Sequence, residues 1–282
     1  MAAPANQTLI LQLRNEVQSR YSLIPTDSWL SDFVATARNP PAPLPSLAST
    51  AHFRLLSSDF TKSLTARAPH LFPSSISDVQ IKDLKLASDI PVQVLDIQDI
   101  STSKWSQIEA IERVERGEEI RGREVIRTIP GINDDDDNLN NEQAPANSTR
   151  SSGRSTGSST LVATDSSRRG TTGPHKLLLQ DAAGARAWAY ELSRIDKVTI
   201  VNSNPPVSGA REAGSQVQPE GMQIGCKFLL KNGTCVRRGL IMLTPKDVVM
   251  MGGRVEAWDR KWRDGRKARL RQELEREAAD QG

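Results

Sequence analysis

Three histidines, two cysteines and a run of four aspartates are the residues of this 282-residue chain that could hold a metal or move a proton. His52, His70 and His175 are scattered, and none stands at helical i, i+4 spacing from a second ligand, as a zinc site on a helix requires. Cys226 and Cys235 flank an Asn232-Gly233 turn. With that turn at the centre, Leu230 faces Cys235 and Cys226 lies further out, so the two are not cross-strand partners. No second cysteine pair completes a zinc site, and they read as ordinary thiols in a sheet. Asp134 to Asp137 could attract a divalent cation, but a cation needs ligands held in fixed geometry. This run opens a polar tract and reads as a solvated acidic loop. Nucleophile elbows, phosphate-binding loops and dinucleotide glycine motifs are absent. The expectation is a protein that is not an enzyme and carries no metal and no cofactor. Asn147-Ser-Thr fits a glycosylation acceptor, which matters only in a secreted chain.

Positive charge offers a second kind of chemistry. Arg260, Lys261, Arg263, Arg266, Lys267, Arg269 and Arg271 crowd into twelve residues against Asp264 alone. They could meet nucleic-acid phosphates, or form a solvated helix face balanced by Glu273, Glu275 and Glu277. Trp258 and Trp262, at i and i+4, are expected to pack this helix onto the rest of the fold. The formal charge of +3 and pI near 8.9 permit a nucleic-acid partner without demanding one.

Apolar residues are 37% and aromatics 4% of the chain, low enough to expect a sizeable polar, disordered share. No apolar run is long enough to span a bilayer, and the N-terminus lacks a secretory pattern, so an intracellular soluble protein without a membrane partner is expected. Residues 1–75 read as a three-helix domain. Leu9, Ile10, Leu13 and Val17 form one face, with Asn6 as N-cap. Trp29, Leu30, Phe33, Val34 and Ala37 form a second, capped by Thr26 or Asp27. "NPPAPLP" is expected to exclude helix, and Phe53, Leu56, Phe60 and Leu64 then mark a third stripe.

Residues 76–253 read as β-rich. "IPVQVLDIQDI" alternates in part and is read as a strand, followed by a short helix on Trp105, Ile108 and Ile111. Between 148 and 172, 14 of 25 residues are Ser or Thr, which cannot bury enough apolar area to offset ordering entropy. An insertion at about 101–174, with a disordered core at 133–174, is expected. "HKLLLQDAAGARAWAYEL" reads as strand, turn, strand, and "DKVTIVN" as a further short strand. Asn232-Gly233 suggests a type I′ hairpin, Pro245 a second turn, and Gly252-Gly253 the end of the last strand. Five or so strands with long inserts suggest a small antiparallel barrel such as an OB-fold. Residues 254–282 read as a charged helix. The fold class is α+β.

"GCKFLLKNGTCVRRGLIMLTPKDVVMMGGRVEAW" resembles the end of the OB-fold in the family of RecQ-mediated genome instability protein 1. The shared elements are Gly225, Lys227, Arg238-Gly239, Leu240 to Leu243, Pro245, Val248 and Gly252-Gly253. "KLLLQDAAG", "IPVQVLDIQDISTSKWSQI" and the Trp-containing "DSWLSDFVATAR" resemble earlier parts of the family. The resemblance implies a three-helix domain, then a five-stranded OB-fold barrel with a long insertion, then a helix. It further implies a nuclear, non-catalytic adaptor that binds a type IA topoisomerase III and a RecQ-family helicase, promoting Holliday junction dissolution and DNA decatenation. Lys227, Phe228, Leu229 or Leu230, with Trp105, Ile108 and Ile111 in the insertion, are the expected topoisomerase contacts. Arg260, Lys261, Arg263, Arg266 and Lys267 are the expected DNA contacts. The sequence departs from the family in its aspartate and Ser/Thr-rich insertion and shows no second OB-fold. The competing reading is an autonomous single-strand-binding OB module, for which the strands offer only Phe228, Trp188 and Tyr190 as stacking aromatics.

Overall fold

A computed structural model describes residues 4–36, 42–116, 170–201 and 221–280. The aspartate run, the acceptor Asn147 and most of the expected disordered core lie outside the described residues.

The helical domain opens with α1 (Pro4–Tyr21), which starts before Asn6, so Asn6 lies inside the helix rather than capping it. Ile10, Leu13 and Val17 are buried as their spacing requires. In α2 (Asp27–Ala35) the Thr26 hydroxyl accepts the Trp29 N–H at 3.3 Å, satisfying one orphan donor of the first turn. α3 (Leu44–Leu56) begins inside the proline run that was expected to exclude helix. Pro45 falls in its first turn, where no N–H is needed. Of the expected third stripe Leu56, Phe60 and Leu64 are buried, but Phe53 is 71% exposed, and on α3 Leu47, Ala48, Ala51 and Leu55 face inward instead. Small alanines admit a close neighbour, and the packing follows them rather than the bulky ring. A short α4 (Phe60–Ser63) is capped by Asp59. These helices share one core from Ile10 to Leu64.

Among the described residues eight strands, where five were expected, form one sheet: β1 (Leu84–Lys85), β2 (Ile90–Asp99), β3 (His175–Gln180), β4 (Arg186–Glu191), β5 (Lys227–Leu230), β6 (Cys235–Arg237), β7 (Leu240–Leu243) and β8 (Val248–Gly252). Their order is β1-β6-β7-β4-β3-β2-β5-β8, antiparallel except for β4 with β7. β2 is the long central strand. A register shift between Val94 and Asp96 lets Ile90, Val92 and Val94 point inward and then Ile97 as well, which explains its imperfect alternation. Leu177, Leu179, Ala187, Ala189, Phe228, Leu230, Val236, Ile241 and Leu243 complete that core from the other strands.

Two local expectations are corrected. Asn232-Gly233 does not join a hairpin: β5 pairs with β2 and β8, and β6 with β1 and β7. Positive φ occurs at Gly233 but not at Asn232, which excludes type I′ and fits a type II turn, closed by Thr234 N–H to Lys231 O at 3.1 Å. The type I′ signature belongs to Arg238 and Gly239, with φ of 48° and 78°, between the paired strands β6 and β7. The described part of "DKVTIVN", residues 196–201, forms no strand, although Val198 and Ile200, like Ile195 before them, are buried.

Residues 170–174, placed by expectation in the disordered core, are instead tied to this segment. Thr171 N–H donates to Ile200 O at 3.0 Å, and Met222 N–H to Thr199 O at 2.7 Å. Residues 170, 201 and 221 therefore meet at one place. Two further helices complete the fold: α5 (Lys104–Glu115), after β2, and α6 (Glu256–Asp280), after β8.

Candidate interface surfaces

Lys227 is the residue on which the sequence placed partner binding, and the structure places it inside the protein. Lys227, Phe228 and Leu230 are 0% exposed and Leu229 is nearly so. None of them offers a surface to a partner. Alternation on β5 sends Phe228 and Leu230 into the sheet core and Lys227 to the opposite face, where α4 roofs it. Lys227 Nζ lies 4.6 Å from the centre of the Phe60 ring and donates to Gln93 Oε1 at 3.0 Å. The same Gln93 oxygen accepts Phe60 N–H at 2.9 Å. Gln93 Nε2 donates to Asp59 Oδ1 at 2.8 Å and to Gln180 Oε1 at 3.0 Å. One glutamine thus joins the cap of a helix, a buried ammonium and a neighbouring strand. Burial pulls the Lys227 ammonium down to about 8, while the Asp59 carboxylate opposes the shift. Burial pushes Asp59 up, but hydrogen bonds from Gln93 and Thr61 and the lysine charge outweigh it, so Asp59 stays below the usual carboxylate range. Burial lifts the neighbouring Cys226 thiol to about 11, which leaves it inert. Gly253 completes the junction: its φ is 79°, and a Cβ there would collide with the Leu56 carbonyl oxygen.

The insertion residues are divided. Ile108 is buried, Ile111 is half-buried and Trp105 is 70% exposed. α5 lies antiparallel on α6 through ion pairs. Lys104 meets Glu273 at 3.1 Å and Glu277 at 2.5 Å. Lys267 meets Glu115 at 2.6 Å, and Arg271 meets Glu112 at 2.6 Å. Trp105, Ile108 and Leu274 line a groove of about 480 Å³ between the two helices.

The basic helix is spent on its own fold. Arg260 pairs with Glu256, Arg263 with Asp259, and Lys267 with Glu112 and Glu115. Arg266 is buried, bonded to Gln107 Oε1 at 3.0 Å, and burial pulls it down to about 10. Of the five expected DNA contacts, Lys261 alone is exposed and outside an ion pair among the described residues. Trp258 and Trp262 pack against the sheet core as their spacing suggested, and Trp262 Nε1 donates to Asp96 Oδ1 at 2.5 Å beside the β2 register shift.

The outer face of the sheet carries Trp188 and Tyr190, two of the three aromatics the sequence offered on the strands. With Leu177, Leu179, Ala187, Ala189, Ile241 and Leu243 inward, the alternate residues form two outward rungs. Leu178, Trp188 and Leu240 are one, and Lys176, Tyr190 and Met242 the other. All six are half-buried. The signal was present in "RAWAYE", where aromatics alternate with alanines.

His175 and Glu191 form a buried pair, with Nδ1 to Oε2 at 2.6 Å. Thr171 Oγ1 lies 2.5 Å from His175 Nε2 and accepts Ile200 N–H at 2.9 Å. Glu191 also accepts Ile195 N–H at 2.7 Å. Burial pushes Glu191 up, but these bonds outweigh it and hold the carboxyl below its usual range. Every polar atom of this trio is used in fastening residues 170–175 to 195–200. His52 stacks on Tyr21 at 3.8 Å. Among the described residues no three His, Cys, Asp or Glu side chains gather as a metal site, and no helix is long and apolar enough to cross a membrane.

Comparisons with known proteins match both parts of the chain. The family model described as "RMI1, N-terminal helical domain" matches residues 17–63. The model described as "RMI1, N-terminal OB-fold domain" matches residues 72–207 and 214–266. A Schizosaccharomyces pombe protein, RecQ-mediated genome instability protein 1, is 25% identical over 210 residues. That alignment covers 73% of this chain and 71% of the relative.

Proposed function

Because the chain belongs to the family of RecQ-mediated genome instability protein 1, with a helical domain followed by an OB-fold, we propose that it is a non-catalytic adaptor. Family membership gives it a RecQ-associated role in genome stability, within DNA repair and recombination. In our reading it holds a type IA topoisomerase III together with a RecQ-family helicase in the nucleus. There it promotes Holliday junction dissolution and decatenation.

The match of both domain models in their chain order carries this reading. The use of polar side chains supports it. Lys227, Gln93, Asp59, His175 and Glu191 are buried or half-buried and engaged with one another, as in a scaffold rather than a site that turns over substrate. An autonomous single-strand-binding module is the weaker reading, since Phe228, one of its three candidate stacking aromatics, lies in the core.

With the Lys227 strand enclosed, α5 is the better docking element, through Trp105 and the half-buried Ile111. A large exposed aromatic beside an apolar groove is the composition of an interface anchor. The test is calorimetric titration with purified topoisomerase III from the same source, alongside a decatenation assay. Binding tighter than about 1 μM, weakened about tenfold or more by Trp105→Glu in a variant that melts like the parent, is the expected result. Absence of binding together with unaltered decatenation overturns the adaptor reading.

A further inference from the structure

One rung of the sheet runs from open surface to buried junction. Arg186 on β4 stands opposite Gln180 on β3, Gln180 opposite Gln93 on β2, and Gln93 opposite Lys227 on β5. The Lys227 end lies beneath Phe60 of α4, whereas the Arg186 end is exposed. The two rungs beside it, on Trp188 and on Tyr190, are half-buried, and among the described residues none of their apolar side chains packs against either core. Arg237 on β6 extends the Trp188 rung, opposite Leu240. Each of β3, β4 and β7 has a strand on both sides, so their backbone groups are spent and only side chains remain to meet a visitor. The charge of this face has one sign in excess. Lys176 lies over the Trp188 ring, and Arg186 is outside any ion pair among the described residues. Arg237 meets Asp83 at 3.5 Å with both side chains more than half exposed, and Lys85 faces the same carboxylate. Asp181 and Glu191, on β4 and the turn before it, are buried and bonded to backbone N–H groups or to His175, so they neutralise nothing on the surface.

We propose that the outer face of β3, β4 and β7 docks an acidic amphipathic helix of a partner protein, its apolar stripe on Trp188, Leu240 and Met242 and its flanking carboxylates on Lys176, Arg186 and Arg237. A sheet face with an apolar stripe is covered by a helix or by another sheet. The protein already covers the other half of this same face with α4, so a helix continues the roof where the chain's own helices stop. Strand addition is closed off, because no edge is free here. Three of the outward apolar side chains, Leu178, Leu240 and Met242, are flexible and aliphatic, and suit the Leu and Ile knobs of a helix. A tryptophan, a tyrosine and a methionine at the centre, with arginine and lysine around them, is the composition of a protein interface with a polar rim. The excess positive charge selects carboxylates on the incoming flanks. This surface shares no residue with the Trp105 anchor on α5, and the inference stands apart from the adaptor reading.

The experiment is fluorescence anisotropy of the full chain with two labelled synthetic peptides of about 18 residues, long enough to form a helix. Both carry Leu at helical spacing. One carries Glu on its flanks and the other Lys at the same positions. Wild-type protein is expected to bind the Glu peptide with a Kd of about 100 μM or tighter at low salt, and the Lys peptide at least about tenfold more weakly. Arg186→Glu with Arg237→Glu reverses that preference, a result that a damaged fold does not produce. Leu240→Asp, in a variant that melts like the parent, weakens the Glu peptide about tenfold or more. Arg260→Gln with Lys261→Gln on α6 leaves the preference unchanged. Four results overturn the proposal. Neither peptide binds, or both bind alike. The charge-reversed variant keeps the wild-type preference. Unlabelled oligo(dT) displaces the Glu peptide, which gives the face to nucleic acid. Sedimentation shows a dimer that Leu240→Asp dissociates, which gives it to a second copy of this chain.

Discussion

At its β5–β8 end, the outer face of the sheet is roofed by helices. There it buries a lysine, two glutamines and a helix cap in one hydrogen-bonded set. At its β3–β4–β7 end the same face is open, and carries two half-buried aromatic rings, with Lys176 over one of them, and the exposed Arg186, outside any ion pair among the described residues. Both ends follow one alternation rule, and the strands beneath them share one core. What differs is the neighbour. A polar group under a roof must find its partners within the protein or cost the fold its desolvation. A polar group in the open keeps its bonding capacity for something else. The roofed half therefore has structural work and the open half is available for recognition.

The strongest way to break this contrast is Gln93→Leu. It strips acceptors or donors from Phe60 N–H, Lys227, Asp59 and Gln180 at once. The expected loss is about 3–5 kcal/mol in urea unfolding, because buried partners are left unpaired. A loss below about 1 kcal/mol would mean that water reaches the junction and that the roof does not seal it. Phe60→Ala should cost a comparable or slightly smaller amount, about 3 kcal/mol, by emptying a fully buried ring site.

Lys227→Met sharpens the contrast through pH. The folded value of about 8 lies below the unfolded value of about 10.4. Between those two values the folded chain holds fewer protons than the unfolded one, so stability rises with pH across that window. Below about pH 8 both states are charged and the penalty of burying the ammonium is fully present. Denaturation from pH 7 to pH 10 should therefore show wild-type stability climbing relative to Lys227→Met, with the variant equal or more stable near neutrality. Parallel curves would show that the lysine is solvated after all.

On the open half the effects on stability shrink. Lys176→Gln should change unfolding by about 0.5–1 kcal/mol or less, the worth of an exposed cation–π contact. Smallest of all is Glu112→Gln in the α5–α6 ladder. Its thermal midpoint should sit next to the parent's, and any difference should vanish near 1 M salt, where the screening length is ~3 Å.

How much of this could be read from the chain varies with the range of the forces involved. The segment from Gly225 to Gly253 was legible as strands and turns because its apolar alternation and glycines act locally. The tryptophans of α6 were legible because i, i+4 spacing fixes a face. Arg238-Gly239 was harder: arginine is a poor advertisement for positive φ, and Asn232-Gly233 looked the better I′ turn. The burial of Lys227 was not legible, because the ring and glutamine that enclose it come from α4 and β2, far away in sequence. The charge count of α6 suggested DNA for the same reason. Its partners Glu112 and Glu115 sit on α5, and only the fold brings them opposite.

The junction of Thr171, Thr199 to Val201 and Gly221 has a consequence for how such a chain can change. The chain enters at Gly170, leaves at Val201 and returns at Gly221 through one port, fastened by Thr171, His175 and Glu191, well away from the roofed glutamine. The segment between residues 201 and 221, whose two ends meet there, can be lengthened, trimmed or replaced by a reporter domain without moving a strand. The port is thus both the place where relatives can diverge most freely and the natural splice point for an engineered sensor.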